Sequence, residues 1–407
     1  MSQPAKTLRK ILHPDHLVVA ALTVLVLWVL LGLIHAIKFL DPVEKVIESM
    51  SMVDVYYRIS NSGTPEVSRD ITLVDITDLS ERQRDSIAIV IEDVLAMQPD
   101  VVGVDVIFGR ELIDSEADAA LRQVFYDAAA DSSVVVAMKL TSPDARTHAF
   151  SSAVHSFFVG QLMDRRITEG CTNVVGEPEM SITKYPVYLK YGDDSLVYSL
   201  PALMTRALTG KDVTPDRDGQ HTVSYRGLRF PVVDYRHILE NERLIRSHKV
   251  LIGSTREETD MHLTPLGRRS GLEVVAYTLD SMVEGDHVWW GGPFWVFIVA
   301  LLGGAVMNVI DYFVTRPIHR ARPAWLRFLA ESEIYAKVLA FLWMVVFTGI
   351  TYAVYAYGHK FVDTWLALAT IAFIEEGRLI YKALLTVVKA RFGEKSIAKS
   401  IYADDVK

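Results

Sequence analysis

Apolar positions fall into two kinds of pattern along the 407-residue chain: long unbroken runs and short runs set in alternation. The unbroken runs are Leu17–Ile37, Pro293–Val314 and Val338–Tyr357, each about 20 residues long. At 1.5 Å rise per residue, a helix of that length crosses the ~30 Å hydrocarbon core of a bilayer. A fourth run, Phe361–Ile374, has only about 14 residues, and its alternative reading is a re-entrant or interfacial segment. Lys6, Arg9 and Lys10 precede the first run, whose length and lack of a small-residue cleavage site point to an uncleaved anchor rather than a signal peptide.

Basic residues remain on the cytoplasmic side of a membrane, so their placement predicts topology. They cluster at the N-terminus, at Arg316, Arg320, Arg322 and Arg327, and at Arg378, Lys382, Lys389, Arg391, Lys395 and Lys399. All three clusters come out inside only with four spans. The predicted organisation is a cytoplasmic tail (1–16), a span (17–37), an extracytoplasmic domain (41–292) and a span (293–314). A cytoplasmic loop (315–337), two spans (338–357 and 361–374) and a cytoplasmic helix and tail (375–407) complete it. This describes a multi-pass membrane protein with its large domain outside the cytoplasm.

Within that domain the pattern switches between short apolar runs and helical spacing. Ile71–Ile76, Val101–Phe108, Ser133–Met138 and Val250–Gly253 read as strands, and Glu81–Met97, Ser115–Ala130, Tyr235–Ile245 and Leu272–Val283 as helices. Runs this apolar are buried on both faces, which predicts an α/β fold with a mostly parallel sheet and crossover helices. The middle, Phe150–Val223, holds shorter alternating pieces (Val154–Val159, Cys171–Val175, Ile182–Tyr188, Thr222–Tyr225) around a helix at Leu200–Leu208, and predicts an antiparallel extension. Leu40–Ser60 has helical spacing, with Asp54 and Arg58 one turn apart as candidate structural or coupling residues.

Charge separates the two parts. Asp41–Gly292 carries 25 Lys/Arg against 40 Asp/Glu, a net charge of −15, whereas the rest carries 17 against 10. An acidic external domain argues against nucleic acid as a partner and suits a cationic or metal-assisted ligand, although a solvated acidic surface has the same composition. Cys171 is the only cysteine, so neither an internal disulfide nor a zinc cluster of cysteines can form.

The candidate binding residues follow from where the apolar strands end. Asp75 (in LVDITD) and Asp105 (in VGVDVIF) sit at strand ends, and Asp260 follows Val250–Gly253 in the loop STREETD. In open α/β sheets ligands bind at that rim. With Asp78, Thr264 and the amides before Leu272, they predict a polar or cation-assisted pocket. The competing reading is structural, with Asp75 and Asp105 capping helices or pairing with Arg58 or Arg82. GSTREETD lacks the second Gly-Lys-Ser/Thr of a phosphate loop, no GxSxG or HExxH occurs, and His221, His237, His248 and His262 are scattered. The expectation is no catalytic residues and no metal site, with the cofactor unknown. In the apolar runs and at their ends, Asn308, Asp311, Asp363, Glu375 and Arg378 are candidates for helix–helix or partner contacts, since charges at membrane depth face protein or water.

VDITD, PDVVGVDVIF and KVLIGSTREETDMHLTPLG together resemble the type 2 CHASE family of extracytoplasmic sensory domains, as does the order of one span, domain and three spans. DVYYR, with Asp54 and Arg58, and SLPAL near Ser199 also have counterparts in the family's pattern. The chain departs from it at SERQRDS, where the family usually carries a Trp/Pro-rich turn, and in lacking the cyclase, kinase or phosphodiesterase output that members usually carry. The resemblance implies ligand sensing across a membrane and leaves the output open; the leading expectation is a non-enzymatic sensor. Expected partners are the membrane, a small-molecule or protein ligand outside, a separate cytoplasmic or membrane output protein, and a second copy in a homodimer. The alternatives are a scaffold in an envelope complex and, behind it, a periplasmic enzyme.

Overall fold

A computed structural model describes residues 3–36, 52–61, 63–80, 82–111, 115–131, 134–144, 147, 149–158, 168–174, 181–193, 195–216, 218–285, 288–319 and 333–405. The chain divides into two compact units, residues 53–288 and residues 1–52 with 289–407. Most of the predicted exit helix (37–51) and the basic loop residues Arg320, Arg322 and Arg327 lie outside the described residues, as does the side chain of Asp54.

The 53–288 unit is built on a parallel sheet in the order Val232–Asp234, Ile71–Asp75, Lys249–Gly253, Val101–Val104, Val134–Pro143, with Thr168–Cys171 also parallel to Val134–Pro143. Pairing along it is in register: Asp234 faces Asp75, which faces Gly253, and Ile252 faces Val104. Alternate residues point to opposite faces. Val74, Val102, Val104, Val136, Val250 and Ile252 form one core with Ile87, Ile91 and Val94 of helix Arg84–Ala96 and Leu121 and Phe125 of helix Ser115–Asp131. The other face is covered by helices Leu200–Thr209 and Gly271–Glu284, so that a Cβ on Gly103 would meet Met204 and Leu251. Each of these fully buried Val, Leu or Ile side chains contributes about 1.5–3 kcal/mol from burial.

The predicted antiparallel extension is present and begins inside one long strand. Val134–Pro143 runs parallel to Thr168–Cys171 through Met138, then antiparallel to Phe150–Val154 from Lys139 onward. Tyr188–Tyr191 and Ser195–Tyr198 continue it. Two expectations are corrected. Tyr235–Ile245 is two 3-10 pieces, Tyr235–His237 and Leu239–Leu244, with a kink at Asn241. Val101–Phe108 leaves the sheet after Val104, so Asp105 stands just past the strand. The segment Met261–Ser270 is a hairpin of Met261–Thr264 and Gly267–Ser270. Helix Met52–Ser60 docks through the Tyr57 hydroxyl, which donates to the Val223 carbonyl at 2.7 Å, while Arg58 on it is exposed.

In the second unit, among the described residues, three helical segments are long and apolar enough to cross a membrane: Thr7–Leu33, Pro293–Val314 and Tyr335–Gly358. The fourth apolar run is not one of them, since it breaks at Phe373 into Trp365–Ala372 and Ile374–Phe392. Its eight apolar helical residues run straight into Glu375, Glu376 and Arg378. Those charges find protein partners. Arg378 pairs with Asp311 and donates from Nε to Asn308 at 3.1 Å, and Lys337 bonds Glu376 at 3.1 Å. Glu375 itself is half-buried, and Asp363 accepts from the Trp365 amide at 3.2 Å at the start of the short helix. Gly377 lets helices Pro14–Ala36 and Ile374–Phe392 touch, since a Cβ there would lie 1.9 Å from the Thr23 hydroxyl. The polar tail is not loose: Ile397 and Tyr402 are buried, and Asp15 accepts from the Tyr381 hydroxyl, the Ser400 hydroxyl and the Ile401 amide.

Candidate functional site

Asp75 ends its strand against the loop that follows Gly253. Its carboxylate accepts from the Thr77 amide and hydroxyl, from the Thr255 amide at 3.1 Å, and from Arg256 Nε at 3.0 Å. Burial opposes its ionisation, but the bonds from Thr77 and Thr255 more than offset it and hold the carboxyl below its usual range. Asp75 is therefore an anchor for loop 254–257, and its cationic partner is Arg256 rather than Arg58 or Arg82. Asp78 lies outside the rim's interior, bonded by Arg236 at 2.6 Å and Arg256 at 3.4 Å.

Asp105 and Asp260 do come together. Asp105 is held at the rim by its amide, which donates to the Ile252 carbonyl at 2.8 Å. Its carboxyl is pushed up to about 7 by burial and then by the charge of Asp260, with His262 acting in the opposite direction. Asp260 is carried by the short 3-10 turn before the hairpin. Its Oδ2 accepts from the Gly271 amide at 3.1 Å, and its Oδ1 lies 3.4 Å from His262 Nε2. Ser270 and Glu273 complete the helix start as a reciprocal capping pair. The amides expected to complete the pocket are thus occupied by the protein's own side chains.

Thr264 sits elsewhere. It is buried in the hairpin turn, where it accepts from the Leu266 amide and donates to the Gly267 carbonyl at 2.6 Å. Its role is to close the hairpin that carries His262.

Asp105 and Asp260 open on a cavity of about 720 Å³ at the C-terminal rim of the sheet. Leu79, Val106, Val174 and Val275 form apolar wall, and Thr77, Ser254, Glu257, His262 and Lys139 contribute polar groups. Tyr185, from the short strand Lys184–Pro186, also lines it. Tyr185 is 1% exposed, and its hydroxyl has no hydrogen-bond partner among the described residues. Burial, and next the neighbouring Asp105 charge, keep the phenol neutral by raising it well above its ordinary value. Nothing in SITKYPVY distinguishes this tyrosine from the chain's other buried ones, so sequence reasoning missed it. Among the described residues no group of three or more His, Cys, Asp or Glu is arranged to hold a metal ion.

Gly271 tests the placement of Asp260. A Cβ there would lie 2.4 Å from Asp260 Oδ2. Gly271→Ala is expected to expel that carboxylate, leave the helix amide unpaired and destabilise the unit by about 1–3 kcal/mol. Urea unfolding of the purified chain checks it, and an unchanged midpoint would contradict the geometry.

The CHASE2 domain model matches residues 20–310. The match starts within the first apolar helix, covers the whole α/β unit and ends within Pro293–His319. Neither the curated proteins nor the solved structures compared with the chain give a match.

Proposed function

We propose, from the premise that the chain belongs to the CHASE2 family of extracytoplasmic sensory domains, that it is a non-enzymatic sensor of the bacterial inner membrane. The domain takes up a ligand in the rim cavity, and the membrane helices pass the occupancy on to a separate cytoplasmic or membrane partner. One observation carries this reading: the cavity is lined by Asp105 and by Tyr185, whose buried hydroxyl has no hydrogen-bond partner among the described residues. Buried polar groups ordinarily have partners, and a ligand supplies what is missing. Asp75 and Asp78 hold the loop beside the cavity, and Asp260 shares its carboxylate between the helix start and the cavity. Asp311 and Arg378, with Asn308, serve as the joint between helices through which coupling runs. The four-span arrangement belongs to this proposal, with Trp365–Phe392 as a broken fourth segment.

Two measurements test it. Alkaline phosphatase fused after Asn61 is expected to be active, and an inactive fusion would remove the periplasmic placement. Val106→Trp fills the cavity without a known ligand. In the full chain it is expected to change amide hydrogen exchange in Pro293–His319 or Ile374–Phe392. Identical exchange across both helices would remove the coupling.

A further inference from the structure

We propose that the rim cavity binds an organic ammonium ion: a small primary amine with a short apolar body, held by Asp105, Asp260 and the Tyr185 hydroxyl. The proposal rests on the ligand-binding reading above and names the chemistry of that ligand.

The argument begins with charge. Asp105, Asp260 and Glu257 line the cavity against Lys139 and His262. An anion would meet carboxylates from three directions, so a cation is favoured. A bare divalent ion needs six to eight oxygen ligands or several nitrogen and sulfur ligands, and no such cluster exists among the described residues. An ammonium group asks for less. Its N–H groups each need one acceptor, and the cavity has the Asp105 carboxylate and the Tyr185 oxygen, which is without a partner among the described residues, to accept them. Leu79, Val106 and Val275 offer a few methylenes of apolar wall for the ligand's body.

The site also has a built-in proton competitor. Asp105 faces Asp260 and His262 from the hairpin side, Glu257 from the loop after Gly253, Lys139 from the long strand and Tyr185 from Lys184–Pro186. Below pH 7 Asp105 holds a proton and offers the ammonium a neutral group; above pH 7 it offers a carboxylate. An alkylamine stays charged throughout, as its pKa lies near the ~10.4 of lysine. Affinity is therefore expected to rise with pH, by about tenfold from pH 6 to pH 8.

Calorimetric titration of the full chain in detergent with n-pentylamine, 1-pentanol, pentanoate and N-acetyl-lysine amide tests this. Pentylamine at pH 8 should bind at least tenfold more tightly than pentanol or pentanoate, and Asp105→Asn and Tyr185→Phe should each weaken it without moving the urea midpoint. Equal affinity for pentanol or pentanoate, or no effect of Asp105→Asn, would overturn the proposal. Tighter binding of N-acetyl-lysine amide than of pentylamine would overturn the free-amine form and assign the site to a lysine side chain of a protein partner. If amines fail while Val106→Trp still alters exchange in the helices, the ligand class falls and the sensory reading stands. If amines bind and Val106→Trp changes nothing, the ligand class stands and the coupling falls.

Discussion

Arg378→Ala is expected to destabilise the helical unit by about 3–5 kcal/mol, a loss of more than a hundredfold in the folded ratio. Arg378 reaches Asp311 and Asn308 from the helix that follows the break at Phe373. Asn308 in turn bonds His16 at 3.0 Å and accepts from the Tyr402 hydroxyl at 3.1 Å, so the network reaches the first helix and the tail. The Asp311 side chain is 4% exposed. Without Arg378 it becomes a buried charge with its principal cation gone, which costs far more than the net worth of the pair. Arg378→Lys should recover only part of the loss, because an ammonium cannot reproduce two bonds from one planar guanidinium. Asp311→Ala with Arg378→Ala should recover more than either single change implies. Heat inactivation and limited proteolysis of the detergent-solubilised variants read this out. Full stability of Arg378→Ala would show that Asp311 has another route to neutralisation.

Arg84→Ala should unfold the α/β unit at a comparable cost, about 3–5 kcal/mol. Arg84 is 2% exposed in the core, where it pairs with buried Asp118 and donates to the Arg110 carbonyl at 2.6 Å. Its guanidinium also lies over the rings of Phe157 and Phe108, at 5.0 and 5.7 Å from their centroids. One side chain thus ties helix Arg84–Ala96 to helix Ser115–Asp131 and to the segment leaving Asp105. The double replacement Arg84→Met with Asp118→Leu should be far milder than Arg84→Ala, since apolar groups of similar volume avoid the desolvation cost of an unpaired buried charge. Cys171 is a convenient reporter: it is wholly buried, and burial raises its thiol to about 12, so labelling at neutral pH requires opening of the unit. Arg84→Ala should accelerate its labelling in dilute urea by more than a hundredfold. Unchanged protection would mean that the buried pair is not holding this core.

The apolar runs alone determined that Ile71–Asp75, Val101–Val104, Val134–Met138 and Lys249–Gly253 are buried parallel strands, because a strand covered on both faces has no polar side to show. Length and apolarity determined three membrane-length helices in the same way. The strand end also placed Asp105 at the rim, and the loop leaving Gly253 brought Asp260 to the same rim, since the segments that follow parallel strands gather at one end of the sheet. Pattern could not place Lys249–Gly253 between Ile71–Asp75 and Val101–Val104, some 150–180 residues earlier, because pairing partners are chosen by packing across long loops. That insertion sets the loop after Gly253 directly against Asp75, whose carboxylate the Thr255 amide and the Arg256 side chain then consume. Thr264 and Asp78 left the candidate site for the same reason: a hairpin turn and two arginines reached them first. Tyr185 entered it only through a short strand whose tyrosine is no different in sequence from any other. At the break after Phe373, charge marked the end of the apolar run, but only packing against Asn308 and Asp311 decided that Arg378 would be neutralised by protein. Local physics in this chain chooses the elements and the end of the sheet at which chemistry collects. Which carboxylate remains free there depends on contacts between residues far apart in sequence, and only the tertiary fold decides those.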